Sequence, residues 1–312
     1  DLIGTVTVAP PTIWLSGSPQ AFVGRTSTFV VGTAQPMRAG ARLQVSLASS
    51  DTSIATVPPV ATIEAGTSSV EAPLTVLGEG SVVIRAGGDG VSSSSTLTKR
   101  FDLALPPLEM DVSGVQVGKG LVARVRIFYT GSAPTTLTVT SADPTRLLLS
   151  LDGQGAGRES VSLDAKRYSY VEFSVHAKSD SGQVPLRYSA PGYATTTAMA
   201  ELLPAVLRFS QTSQSTQGSN PVSFSVSVTC LNQNGYYPES TNFSPAPLSF
   251  QVKSSNPAAG TLDATTLTIA AGENSTQGKF TPAAKGTTTL TLTPPDGVVT
   301  TEAFSQMVIT VN

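Results

Sequence analysis

One cysteine, one histidine and one tryptophan occur among 312 residues. A single cysteine excludes an intramolecular disulfide. One His and one Cys together cannot build the usual four-ligand zinc site. Charged residues make up 13% of the chain and the net charge is −2. No basic run is present to meet phosphates, so nucleic acid is not an expected partner. No run of about 18 apolar residues occurs, so no membrane-spanning segment is expected. The lone His176 has no G-x-S-x-G nucleophile elbow to accompany it. The Asp residues are scattered, several in Asp-Gly turns such as Asp152-Gly153 and Asp296-Gly297. No two carboxylates pair obviously for glycoside hydrolysis. No catalytic residue, no metal site and no cofactor is therefore expected, although a calcium ion at a domain junction, with Glu201 as one ligand, stays open as an alternative.

Glycine and proline are plentiful, 27 and 22 residues, and they separate short runs of alternating apolar and polar residues. Leu43, Val45 and Leu47 alternate with polar neighbours, as do Val82 and Ile84. In Leu121–Tyr129 the residues Leu121, Ala123, Val125 and Ile127 form one face, and Val122, Arg124, Arg126 and Phe128 the other. Period-two alternation predicts strands with one face in a core. Cys230 is in phase with Phe224, Val226 and Val228, which predicts a small buried core residue. Trp14 is expected to plug the first core or an end of its sandwich. Residues 195–206 read as a strand, and no amphipathic helix stands out.

A segment recurs three times. LQVSLASSDTSIATVPPVATIEAGTSSVEAPLTVLGEGSVVIRA (Leu43–Ala86) returns as LSFQVKSSNPAAGTLDATTLTIAAGENSTQGKFTPAAKGTTTLTLTPPDG (Leu248–Gly297). A weaker copy runs from Leu137 to Tyr193. A repeat of this length means one fold used in tandem. Pro-containing boundaries at Leu105-Pro106-Pro107 and Leu203-Pro204-Ala205 divide the chain into 1–104, a divergent 105–204, and 205–312, where proline stops a sheet ladder. Linkers this short predict a semi-rigid rod. Asp51, Asp143 and Asn256 stand where a short side chain can close a turn on its own backbone. Gly66 and Gly272 stand where positive φ is needed.

The stretch SSDTSIATVPPVATIEAGTSS (Ser49–Ser69) resembles bacterial Ig-like repeat domains, of the invasin and adhesin type, in secreted or cell-surface proteins. Ser254-Ser255-Asn256-Pro257 and Ala271-Gly272-Glu273-Asn274-Ser275 carry the same resemblance in the last third. The middle third departs from it: Ala165-Lys166-Arg167-Tyr168-Ser169 replaces the Ala-Gly turn, and DGQGAGRES (Asp152–Ser160) is inserted. The resemblance implies an all-β chain of three tandem immunoglobulin-like β-sandwich domains. It also implies an extracellular or envelope setting and a non-catalytic role in adhesion or as a stalk. An accessory region of a secreted enzyme is a remote alternative. The chain starts at Asp1-Leu2-Ile3 without Met, as expected of a processed product or a piece of a longer parent chain with further domains.

The insert between Cys230 and Leu248 is the best candidate binding feature. Its loop near 231–247 carries Asn234, Tyr236, Tyr237 and Phe243. Aromatics beside amides suit sugar stacking or a protein hot spot, so the expected partner is a surface glycan or another protein. The competing expectation is that the loop folds back and its aromatics cover a sandwich edge or the neighbouring domain.

Overall fold

The computed structural model describes residues 10–17, 20–89, 91, 97–108, 110–111, 114–129, 136–165, 170–231 and 242–312. All regular structure among them is β. The first third forms β1 (Ile13–Ser16), β2 (Gln20–Phe22), β3 (Thr26–Thr33), β4 (Leu43–Ser49), β5 (Ala55–Thr56), β6 (Val60–Ile63), β7 (Ser69–Val76), β8 (Gly80–Gly87) and β9 (Leu97–Ala104). One sheet has the order β1-β3-β7-β5 and the other β2-β9-β8-β4-β6. The Thr- and Val-rich alternation drives this arrangement. In β4, Leu43, Val45 and Leu47 face inward and Gln44, Ser46 and Ala48 face out. Phe29 of β3 and Phe101 of β9 meet edge to face across the sandwich, with centroids 5.8 Å apart.

The next elements repeat that plan. They are β10 (Met110–Asp111), β11 (Val115–Gly118), β12 (Val122–Tyr129), β13 (Thr136–Ser141), β14 (Leu147–Ser150), β15 (Ser160–Asp164), β16 (Tyr170–Ala177), β17 (Gln183–Ser189) and β18 (Thr196–Leu203). Their sheets run β10-β12-β16-β14 and β11-β18-β17-β13-β15. The last third forms β19 (Ala205–Phe209), β20 (Ser213–Thr216), β21 (Val222–Cys230), β22 (Asn242–Phe243), β23 (Leu248–Ser254), β24 (Gly260–Leu262), β25 (Thr266–Ile269), β26 (Ser275–Pro282), β27 (Gly286–Thr293), β28 (Val298–Val299) and β29 (Gln306–Val311). Its sheets run β24-β26-β21-β19-β28 and β20-β29-β27-β23-β25. In each copy the opening stretch is divided between the two sheets, and its second half pairs parallel to the closing strand: β2 with β9, β11 with β18, β20 with β29. Three copies of one immunoglobulin-like connectivity make the chain a tandem of β-sandwiches. The described residues fall into two units, the first sandwich in one and the second and third in the other.

Local expectations fare unevenly. The Asp51 carboxylate accepts the Ser53 amide at 2.9 Å and Asp143 accepts that of Thr145 at 3.1 Å. Gly66 and Gly272 have φ of 80° and 83°. Asn256 works differently: its Nδ2 donates to the Thr287 carbonyl at 3.1 Å, tying the turn to a neighbouring strand instead of its own backbone. Trp14 is a correction. Ile13 takes the inward position of β1 at 1% exposed, so Trp14 faces out, 38% exposed. Its ring lies over its cross-strand partner Gly32, where a Cβ would sit 2.3 Å from the indole.

Candidate functional site

The second and third sandwiches are joined through one residue, Pro204, between β18 and β19. Proline has no N–H, so the ladder of β18 stops there. The amide of Lys119 then caps the chain by donating to the Leu203 carbonyl at 2.8 Å. Gly118 beside it has no room for a side chain. A Cβ would stand 2.9 Å from Leu121 Cδ1, 3.2 Å from Ala205 Cα and 3.3 Å from Cys230 Cβ. Leu121, from the second sandwich by sequence, is buried in the core cluster of the third.

The long insert of the third sandwich supplies the main fastening. Asn242 and Phe243 form β22, which pairs antiparallel with β12 of the second sandwich, Phe243 opposite Val122 and Asn242 opposite Ala123. Asn242 is 2% exposed. Its Oδ1 accepts the Gly118 amide at 2.9 Å, and its Nδ2 donates to the Gln116 carbonyl at 3.2 Å. Both bonds satisfy backbone groups that would otherwise be buried without partners. Ser244, the next residue, holds β22 to its own sandwich: its amide donates to the Glu273 carbonyl at 3.0 Å and its carbonyl accepts the Gly272 amide at 2.8 Å.

Phe243 is 3% exposed, with the guanidinium of Arg124 over its ring at 5.2 Å. It rests on Gly153, in the DGQGAGRES insertion. A Cβ there would fall 2.6 Å from Phe243 Cζ, and φ of +74° already favours glycine. The Gly153 amide donates to Ser150 Oγ at 3.0 Å, and Ser150 Oγ is hydrogen-bonded to His176 Nε2 at 2.7 Å. Burial holds the His176 imidazole below its ordinary pKa, against the opposing charge of Asp152. Burying a phenylalanine ring contributes about 1.5–3 kcal/mol, so one ring in a glycine-floored seat is a sizeable fastening.

Cys230 is fully buried at this junction, and burial pushes its thiol up to about 12 despite a hydrogen bond from Asn242. Glu201 is engaged, its Oε2 accepting from Gln116 Nε2 at 2.6 Å. A cleft of about 540 Å³ follows the joint, lined by Asp180, Glu201, Leu203, Pro204 and Leu231. Both polar atoms of the Asn242 side chain are engaged with backbone across the joint.

Of the expected ligand-binding residues, Asn234, Tyr236 and Tyr237 lie outside the described residues. Phe243 is placed inside the joint, where its ring has no face left for a ligand; for this residue the fold-back expectation describes the geometry. The residues of this joint to which sequence reasoning gave no part in it are Gly118, Leu121, Asn242 and Gly153. The signal available was the coincidence of two insertions, one in the second sandwich and one in the third. They fit each other, Phe243 of one seated on Gly153 of the other.

No family model matches the chain, and no curated protein matches it. Among solved structures it is similar to domains 4–9 of the surface layer protein SbsC, with 13% identity and a TM-score of 0.26, covering 97% of this chain and 48% of that one. It is also similar to FdeC, an Escherichia coli adhesin, with 13% identity, full coverage of both chains and a TM-score of 0.26. A third is the complex of Dpr2 Ig1-Ig2 with DIP-Theta Ig1-Ig3, with 8% identity, 97% and 99% coverage and a TM-score of 0.26. The chain spans about half the length of the SbsC fragment. At these values the class, a tandem of immunoglobulin-like sandwiches, rests on the strand pairing described above. Among the described residues no helix is long and apolar enough to cross a membrane.

Proposed function

We propose that this chain is a non-catalytic module of a secreted or cell-surface bacterial protein, acting in adhesion or as a structural stalk, with 1–104, 105–204 and 205–312 as its sandwich units and further domains in a longer parent chain. The observation that supports this most is β22, a strand of the third sandwich built into a sheet of the second. A stalk must carry position and load across each joint. Strand pairing, a buried amide and a seated ring give this joint directional bonds that resist bending, which a plain linker lacks. Backbone relaxation measured by NMR on the whole chain tests it: the second and third sandwiches should share one rotational correlation time, and the double variant N242A/F243A should separate them. Different correlation times in the wild-type chain would refute the stalk reading.

A second reading keeps the insert as a recognition loop for a glycan or a protein, through Asn234, Tyr236 and Tyr237. It is favoured by one fact: Cys230 and Asn242, which flank the segment, are both fixed in the joint. If Y236A/Y237A leaves retention of the labelled chain on a glycan array and on immobilised matrix proteins unchanged, this reading fails.

A further inference from the structure

His176 is packed against the Asp152–Ser160 insertion, in the row of side chains that Phe243 closes. Cross-strand register sets Phe243 of β22 opposite Val122 of β12, Val122 opposite His176 of β16, and His176 opposite Leu148 of β14. The insertion lies across this row. Leu149 and Arg158 exchange two backbone hydrogen bonds of 2.7 Å and close it. Gly157 rests on Leu148 and on the imidazole: a Cβ there would stand 2.8 Å from Leu148 Cβ and 3.5 Å from His176 Cδ2. Gly153 floors the Phe243 ring and donates to Ser150 Oγ, the atom that His176 Nε2 meets at 2.7 Å. Gln154 reaches the third sandwich, its Nε2 3.7 Å from where a Cβ of Gly272 would be. One hydroxyl therefore holds both the imidazole and the loop on which Phe243 is seated.

We propose that this arrangement is an acid-sensitive latch: protonation of His176 lifts the insertion off Ser150 and withdraws the glycine floor from Phe243, loosening the joint without unfolding either sandwich. The latch rests on the reading of the joint as the fastening of a stalk. Neutral imidazole with its proton on Nδ1 accepts the Ser150 hydroxyl at Nε2, and Ser150 keeps a lone pair for the Gly153 amide. Imidazolium donates at both nitrogens, so the bond to Ser150 reverses and a charge is placed where water is largely shut out. Charged residues stand on several of the surrounding segments: Arg124 on β12, Asp152, Arg158 and Glu159 in the insertion, Glu172 on β16 and Lys178 just after it. The β14 and β22 strands carry none. Asp152 is the one whose charge reaches the ring and favours imidazolium; burial outweighs it, so the closed latch prefers the neutral form. Lifting the insertion hydrates the ring and removes that preference. The closed state is thus fully favoured above pH 6.5 and loses ground as the pH falls below it. The β22 pairing and the two Asn242 bonds to backbone involve no group that titrates in this range, so they stay.

Hydrogen exchange on the ¹⁵N-labelled full chain tests the latch at pH 7.5 and at pH 5. Rates are expressed as protection factors, which removes the pH dependence of the exchange chemistry itself. We expect the Gly153 amide to lose protection at pH 5 while the Gly118 amide, held by Asn242, keeps it. H176Q keeps a polar partner for Ser150 but cannot take up a proton, and should hold Gly153 protection at both pH values. D152N removes the charge that favours imidazolium and should lose Gly153 protection more steeply than wild type. The inference is overturned if wild-type Gly153 is equally protected at both pH values, if H176Q loses protection as wild type does, or if D152N is less acid-sensitive. The stalk reading stands or falls separately, on the shared correlation time of the second and third sandwiches at pH 7.5.

Discussion

Replacing Asn242 by alanine strips the Gly118 amide of its acceptor in a place water cannot reach, since Asn242 is 2% exposed and the bond is buried. A buried donor left unsatisfied costs about 1–3 kcal/mol. The lost donation to the Gln116 carbonyl adds a net hydrogen bond, about 0.5–1.5 kcal/mol. The sum, about 1.5–4.5 kcal/mol, should fall on the second and third sandwiches. The chain carries its own reporters: Trp14 is the only tryptophan and lies in the first sandwich, whereas all seven tyrosines follow residue 128. In guanidinium titrations of N242A the tyrosine-detected transition should therefore move to lower denaturant, while the tryptophan-detected transition stays in place. N242D sharpens the test. A carboxylate keeps an acceptor for Gly118 but cannot donate to Gln116, and burial raises its pKa. Its native state thus binds a proton that the unfolded state releases, so N242D should lose stability as the pH rises from 4 to 7. A tyrosine-detected shift below about 0.5 kcal/mol, the range of ordinary surface substitutions, would refute the proposed fastening.

Three further outcomes are expected. G153A adds a methyl 2.6 Å from Phe243 Cζ at φ +74° and should cost about 1–3 kcal/mol; because it unseats the same ring that F243A deletes, the double variant should cost clearly less than the sum, and strict additivity in a double-mutant cycle would disprove the contact. Cys230 should resist iodoacetamide at pH 8 in the native chain and react on unfolding; with its pKa raised from 9.0 to about 12, its contribution to stability is full below pH 9 and lost as the pH rises toward 12, so rapid native labelling would contradict its burial. Burial holds His176 below the ordinary imidazole pKa of 6.5; the native state favours neutral imidazole, so its contribution is full above pH 6.5 and declines as the pH falls below it, and an NMR titration midpoint above 6.5 would contradict that burial.

Much of the fold was legible because strands announce themselves locally. Leu43, Val45 and Leu47 alternate in sequence and are buried in the structure. Residues 195–206 read as one strand from their all-β neighbours; the chain there forms β18 up to Leu203 and β19 from Ala205, with Pro204 between them. Phe304 is out of phase with Met307, Ile309 and Val311 because β29 starts only at Gln306; Phe304 sits in the preceding turn, against Arg208 at 4.3 Å. Trp14 was misplaced because apolar character was weighed above phase. Ile13 holds the inward position, and the indole is satisfied by the bare backbone of Gly32 on the outer face.

The candidate site was legible only in halves. The insertion at Asp152–Ser160 and the long loop before Leu248 each stood out as departures from the repeat. Nothing in a period-two pattern says that residue 243 meets residue 153, because such a contact depends on how two sandwiches are joined, not on any local preference. The same holds for the cross-strand pairs Arg126–Glu172 and Phe128–Tyr170, whose members are more than 40 residues apart in sequence. Alternation, turn residues and the repeat by themselves determined the strands, the all-β class and the tandem plan, since each depends on backbone geometry within a few residues. Tertiary structure alone decided which glycine has no room for a side chain, which amide is buried at the joint and which aromatic rings are buried or exposed, since burial and cross-strand register are properties of the assembled sheets.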